Sequence, residues 1–148
     1  MASVERTITV SQPVAKVWAY LSDFTNTEEW DPPTVSTVRN SGDGGVGTTY
    51  SNVSKFFGHE TETQYVVTKH QVGSCLQLEG DAGSVKVLDT ITFESSSDGT
   101  GNELTTVTYR SDFRPVGAAR LVGPLLPPAL KLLGDKVAAS LEERLNAL

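Results

Sequence analysis

Between Thr34 and Phe113 the chain is cut into short segments rich in Val, Thr, Tyr and Phe. The cuts are the turn clusters NSGDGG, FFGH, HQVGS, EGDAG and ESSSDGTGN. Such spacing predicts six strands, near 34–40, 46–55, 59–69, 74–79, 84–95 and 103–114. Strands joined by turns this tight pair antiparallel, each with its predecessor. A further strand precedes them, because SVERTITV alternates and puts Val4, Ile8 and Val10 on one face.

Helical periodicity brackets the strands. In SQPVAKVWAYLSDF, Val14, Val17, Trp18 and Leu21 form one amphipathic stripe, with Ser11 placed to cap and Pro13 near the first turn. TNTEEW is a second short helix, ended by Pro32 and Pro33. From about Ala118 the period returns, and Leu126, Leu130, Leu133, Val137, Leu141 and Leu145 line one face. Pro124, Pro127 and Pro128 interrupt that helix or delay its regular start. The order β-α-α-β6-α is an α+β arrangement over residues 1–148, with no linker or internal repeat. Seven strands expose one apolar face, and the long terminal helix is the large apolar object available to cover it. The sheet must therefore curl around that helix, leaving a space where curve and rod do not fit.

Charge and cysteine content narrow the function. The net charge of −6 is spread along the chain and gives no basic face for nucleic acid. Cys75 is the single cysteine, so no intramolecular disulfide forms. No apolar stretch approaches the ~18 residues of a membrane span, and MASVERTITV lacks signal-peptide character. The expectation is a cytoplasmic protein.

The chain resembles the START-like, helix-grip (SRPBCC) superfamily, and within it the polyketide cyclase/dehydrase-type group of small bacterial proteins. The resemblance spans nearly the whole chain. It is carried by ITVSQPVAKVWAYLSDFTNTEEW, VGTTY at 46–50, TTVTYRSDFRP at 105–115 and the amphipathic terminal helix. It implies a helix-grip domain with a hydrophobic cavity between sheet and helix, partly closed by the two short helices. Members bind lipids, sterols, hormones or aromatic polyketides, and some catalyse cyclisation or dehydration. No family-wide catalytic motif exists to transfer.

Several motifs carry less than their spelling suggests. GDGGVG at 42–47 has the G-x-G-x-x-G form, but a strand follows where a dinucleotide site requires a helix N-terminus. His59-Glu60 lacks the second histidine of a zinc helix, since position 63 is Thr, and His70 and Cys75 have no partner spacing. No nucleophile elbow is present. No metal or redox cofactor is implied.

The inward faces of two strands hold the chemistry. In SVKVLDTITFE, Asp89 shares a face with Val85, Val87, Ile91 and Phe93. A carboxylate on a buried face must be paired, hydrogen-bonded or wet, which places Asp89 in a cavity or else outside beside Lys86 or Arg110. In TTVTYRSDFRP, Val107, Tyr109, Ser111 and Phe113 form the apolar face, so Tyr109 points in and Arg110 with Asp112 points out. A bulge would reverse that phase. Gly134 either leaves room for a ligand or allows close backbone packing. Trp30 either packs structurally or touches ligand, while Phe56 and Phe57 at a hairpin tip are rim candidates. Residues 115–128 form a movable lid, a packed entry or a membrane-contact segment.

The leading expectation is binding of a hydrophobic or aromatic, lipid- or polyketide-like molecule. Tyr50, Tyr65, Asp89 and Tyr109 would orient it. Trp30, Phe56 and Phe57 would sit near the opening, with Leu126, Leu130, Leu133, Gly134 and Val137 along the helix. One alternative is an aromatase/cyclase or dehydratase in which Asp89 or Tyr109 moves a proton. Another is a co-chaperone-like module that docks a protein partner.

Overall fold

The computed structural model describes residues 2–56, 58–116 and 126–148, with the side chains of Phe56 and of 126–129 outside that description. Phe57, the Leu126 side chain and most of the 115–128 segment thus lie outside it too. The strands are β1 (Ala2–Val10), β2 (Thr34–Ser41), β3 (Thr49–Phe56), β4 (His59–Gln71), β5 (Cys75–Asp81), β6 (Val85–Ser97) and β7 (Glu103–Pro115). The helices are α1 (Val14–Leu21), α2 (Thr27–Trp30) and α3 (Leu126–Asn146), with a 3₁₀ turn at Phe24–Asn26.

All seven strands form one antiparallel sheet in the order β1-β7-β6-β5-β4-β3-β2. Hairpin connections explain every neighbour but one, and β1 closes the set by pairing with β7, Ile8 opposite Val107. Register shifts between Thr34 and Ser36, Arg39 and Ser41, and Val67 and Lys69 mark irregularities of the kind that bend a sheet. This is the curved sheet and long C-terminal helix of a helix-grip α+β fold.

Alternation along the strands builds the concave face. Val4, Ile8 and Val10 of β1, Leu76 and Leu78 of β5, Val87, Ile91 and Phe93 of β6, and Val107 of β7 are all buried. Opposite them α3 buries Leu130, Val137, Leu141 and Leu145. Pro127 and Pro128 fall in its first turn, where the missing N–H groups have no intrahelical partner to lose. In α1 the cap position belongs to Pro13, and no side chain caps it. Ser11 instead uses its backbone N–H, which donates to Asn146 Oδ1 at 3.3 Å and ties the start of the chain to the end of α3.

Gly134 sets how closely α3 approaches the sheet. A Cβ there would lie 2.4 Å from Val4 Cγ2 and 3.1 Å from the Arg6 guanidinium. Beside this contact Arg6 Nε donates to Asp135 Oδ1 at 3.0 Å and Nη2 to the Lys131 carbonyl at 3.1 Å. Gly134→Ala should therefore destabilise the fold by about 1–3 kcal/mol through overpacking, against a helix-propensity gain of about 1 kcal/mol. Urea denaturation of the two proteins measures the net loss.

The glycines of GDGGVG occupy the β2–β3 connection, as hairpin geometry requires. Gly42 has φ of +92°, and a Cβ on it would collide with Thr48.

Candidate functional site

The sheet and α3 pack apart at one end and leave a partly open cavity of about 580 Å³. Its apolar wall comes from Val4, Val85, Val87, Phe113, Leu133 and Val137. Its polar wall comes from Asp31, Asn52, Ser54, Thr63, Tyr65, Asp89, Tyr109 and Ser111. The volume falls in the range of about 300–1,000 Å³ common to small-molecule pockets. A second, more open groove of about 890 Å³ crosses the convex face, lined by residues including Asn40, Glu79, Lys86, Arg110, Asp112 and Arg114. Four of its charged residues pair, Arg110 with Asp112 at 3.0 Å and Lys86 with Asp81. Arg110 also reaches Glu5 at 3.2 Å, so the Arg110–Asp112 pair faces outward.

Asp89 is at the centre of the polar wall. It is 3% exposed and pairs in register with Ser111, whose Oγ donates to Asp89 Oδ1. Tyr109, two residues back along β7, shares a hydrogen bond with that Ser111 oxygen at 2.8 Å. Burial pushes the Asp89 carboxyl up to about 7. The Ser111 hydrogen bond opposes the rise, the negative field of Asp31 adds to it, and the phenols of Tyr65 and Tyr109 oppose it. Burial and the nearby Asp89 charge hold both phenols well above the usual range.

Asp31 follows α2 directly, where Pro32 and Pro33 end the helix and turn the chain across the sheet. Thr34 Oγ1 donates to Asp31 Oδ2 at 2.6 Å. Burial pushes this carboxyl up to about 6, with the Thr34 bond opposing. Asp31 is half-buried and lines the cavity. A polar ladder continues from Thr34 through Asn52 Nδ2 (3.1 Å) to Thr37 (2.9 Å) and Thr27 (2.6 Å), locking α2 to β2 and β3.

Tyr65 owes its place to Gly80, its partner across β4 and β5. A Cβ on Gly80 would stand 2.7 Å from Tyr65 Cε1. The missing side chain lets the ring lie over β5 and line the cavity.

The other anticipated residues separate clearly. Leu130, Leu133, Gly134 and Val137 line the cavity with Tyr65, Asp89 and Tyr109, although Gly134 also makes the tight contact with β1. Tyr50 is not among the lining residues; it is 1% exposed and packs on Phe24, with ring centroids 5.6 Å apart. Trp30 is also buried in the core, and its ring meets Tyr109 edge-on at 5.7 Å. It thus backs the cavity wall through Tyr109, while Trp18 packs elsewhere, on Phe93 and His70. Phe56, Phe57 and Leu126 fall outside the described side chains.

Asp31, Asn52, Ser54, Thr63 and Ser111 line the cavity without having been singled out from the sequence. For Ser111 the signal was present, since it alternates with Tyr109 and Phe113 on the inward face. Among the described residues no group of His, Cys, Asp or Glu could hold a metal ion. No described helix is long and apolar enough to cross a membrane.

This architecture defines the class: a helix-grip protein with an internal, mixed-polarity cavity. The chain belongs to the family described as polyketide cyclase / dehydrase and lipid transport, which matches residues 1–146. No protein of curated function matches it significantly. Among solved structures, TTHA0849 from Thermus thermophilus is similar with a TM-score of 0.78 and 14% identity, over 99% of this chain and 98% of that one. The Zhui aromatase/cyclase from Streptomyces gives 0.65 and 15% over 97% and 95% of the two chains. A START superfamily protein from Mycobacterium smegmatis gives 0.72 and 14% over 96% and 94%. At these identities the likeness is one of fold.

Proposed function

We propose that the cavity binds a small molecule with an apolar body and a few polar atoms. The observation that carries this reading is the division of the 580 Å³ space into one apolar and one hydrogen-bonding wall. The apolar side chains of α3, β1 and β6 would hold the body by burial, at roughly 25 cal/mol per Å² of apolar surface. The polar wall would orient it. Family membership supports the same reading.

A second reading, catalysis, is favoured by one specific feature. Asp89 is held near neutrality beside the Ser111–Tyr109 hydroxyl pair, in a space able to hold substrate. A carboxyl poised there can deliver a proton to a ligand carbonyl or take one from an adjacent carbon. The aromatase/cyclase among the similar folds makes cyclisation or dehydration of a polyketide-like chain the natural reaction class. Any such turnover should fall by about 10²-fold or more in Asp89→Asn, with binding retained.

Binding itself is tested by filling the space. Val85 is half-buried on the cavity wall. Val85→Trp should abolish saturable binding of 2-naphthylmethanol, followed by tryptophan fluorescence, while the melting temperature stays close to that of the parent. Equal affinity in both proteins would contradict binding in this cavity.

A further inference from the structure

The polar wall carries a charge pattern that bears on ligand class. Asp31 and Asp89 both face the cavity, one from the end of α2 and one from β6. Thr34 donates to one Asp31 oxygen and Ser111 to one Asp89 oxygen, with the Tyr65 and Tyr109 phenols also beside Asp89. Among the described residues, Trp30 Nε1 is the one fully buried polar side-chain atom without a partner. The second oxygen of each carboxyl is therefore not a fully buried, unpartnered atom, and both residues line the cavity. Asp89, only 3% exposed as a residue, thus presents its carboxyl to the cavity beside the Ser111 hydroxyl and the phenols of Tyr65 and Tyr109.

No described Lys, Arg or His pairs with either carboxyl, since every described ion pair lies elsewhere. The cationic side chains on the lining are Lys55 and Lys136, and both are exposed at its mouth. The interior is thus acidic and its rim basic. Tyr65 and Tyr109 line the cavity with their phenols beside Asp89. An anionic head would meet two carboxyls and no compensating cation on that wall. A protonated amine would donate N–H groups to both carboxyls and supply the positive charge that the hydroxyl neighbours do not.

We propose that the cavity selects ligands carrying a protonated amine on an apolar body, seated between Asp31 and Asp89, and rejects carboxylates. This rests on the cavity being the binding site, as argued above.

The test uses three probes with one apolar body: 2-naphthylmethylamine, 2-naphthylmethanol and 2-naphthylacetate, titrated calorimetrically at pH 7.5 into the intact protein. The amine should bind at least about tenfold more tightly than the alcohol, equivalent to about 1.4 kcal/mol, and the carboxylate most weakly. Asp31→Asn and Asp89→Asn should each reduce the ratio of amine to alcohol affinity, with circular dichroism reporting that both variants fold. If the alcohol binds but the amine gains nothing, or the carboxylate binds as tightly, amine selection is overturned and the cavity reading stands. An amine preference unchanged in both variants overturns it as well. If none of the three binds, both readings fall together.

Discussion

Trp30→Ala should cost about 3–5 kcal/mol of folding stability, the usual loss when a large buried aromatic is removed. Trp30 is 1% exposed and α2 brings it edge-on against Tyr109, so its removal opens a void behind the cavity wall. Its Nε1 is buried with no partner, so the indole contributes shape rather than a hydrogen bond. Trp30→Phe should accordingly lose clearly less: it keeps most of the ring and deletes a desolvated donor whose burial is itself unfavourable. Urea denaturation of the three proteins decides the matter. Equal losses in the Phe and Ala variants would mean that the indole N–H has a partner of consequence. Trp30→Ala should also weaken binding of the naphthyl alcohol, because Tyr109 would no longer be braced.

Asp89→Asn should have the opposite sign at alkaline pH. The native carboxyl titrates near 7 against an ordinary value of 3.8. The folded state thus holds its proton more tightly than the unfolded state does. The stability tied to that proton is complete below about pH 4 and is lost progressively as pH rises to about 7. A carboxyl raised this far carries a penalty of about 4 kcal/mol at most when ionised, because relaxation and water entering the cavity reduce it. Asparagine keeps the shape and never ionises. The variant should match the parent near pH 4 and exceed it by up to that amount at pH 8, measured by urea denaturation at each pH. A variant less stable at pH 8, or one showing the same difference at both pH values, would show that Asp89 is not a desolvated acid.

Much of this was readable from residue spacing. The turn clusters divide the chain close to the observed strand ends, and alternation in β6 and β7 assigns each side chain a face. It separates Asp89, Tyr109 and Ser111 from Arg110 and Asp112. Alternation gives a face, however, and not a height along the barrel-like curve. Tyr50 and Asn52 both point inward from β3, yet Tyr50 ends in the core beside Phe24 while Asn52 reaches the cavity. Asn52, Ser54 and Thr63 share the faces of Tyr50 and Tyr65 by alternation, but polar residues on a concave face become intelligible only once that face is known to border a hollow. Asp31 depended on the path of the chain after α2, which Pro32 and Pro33 turn across the sheet. Spacing left two outcomes open at Gly134, and the close approach of Val4 shows that packing operates there.

The central claim is that the hollow between sheet and α3 is where this protein meets its small-molecule partner. Chemical-shift mapping during titration with 2-naphthylmethanol tests it most directly. The account predicts saturable shifts at Thr63, Tyr65, Asp89, Ser111 and Val137, and silence at Asn40, Glu79 and Arg114. Shifts confined to the convex groove, or none at all as the alcohol approaches its solubility limit, would contradict it.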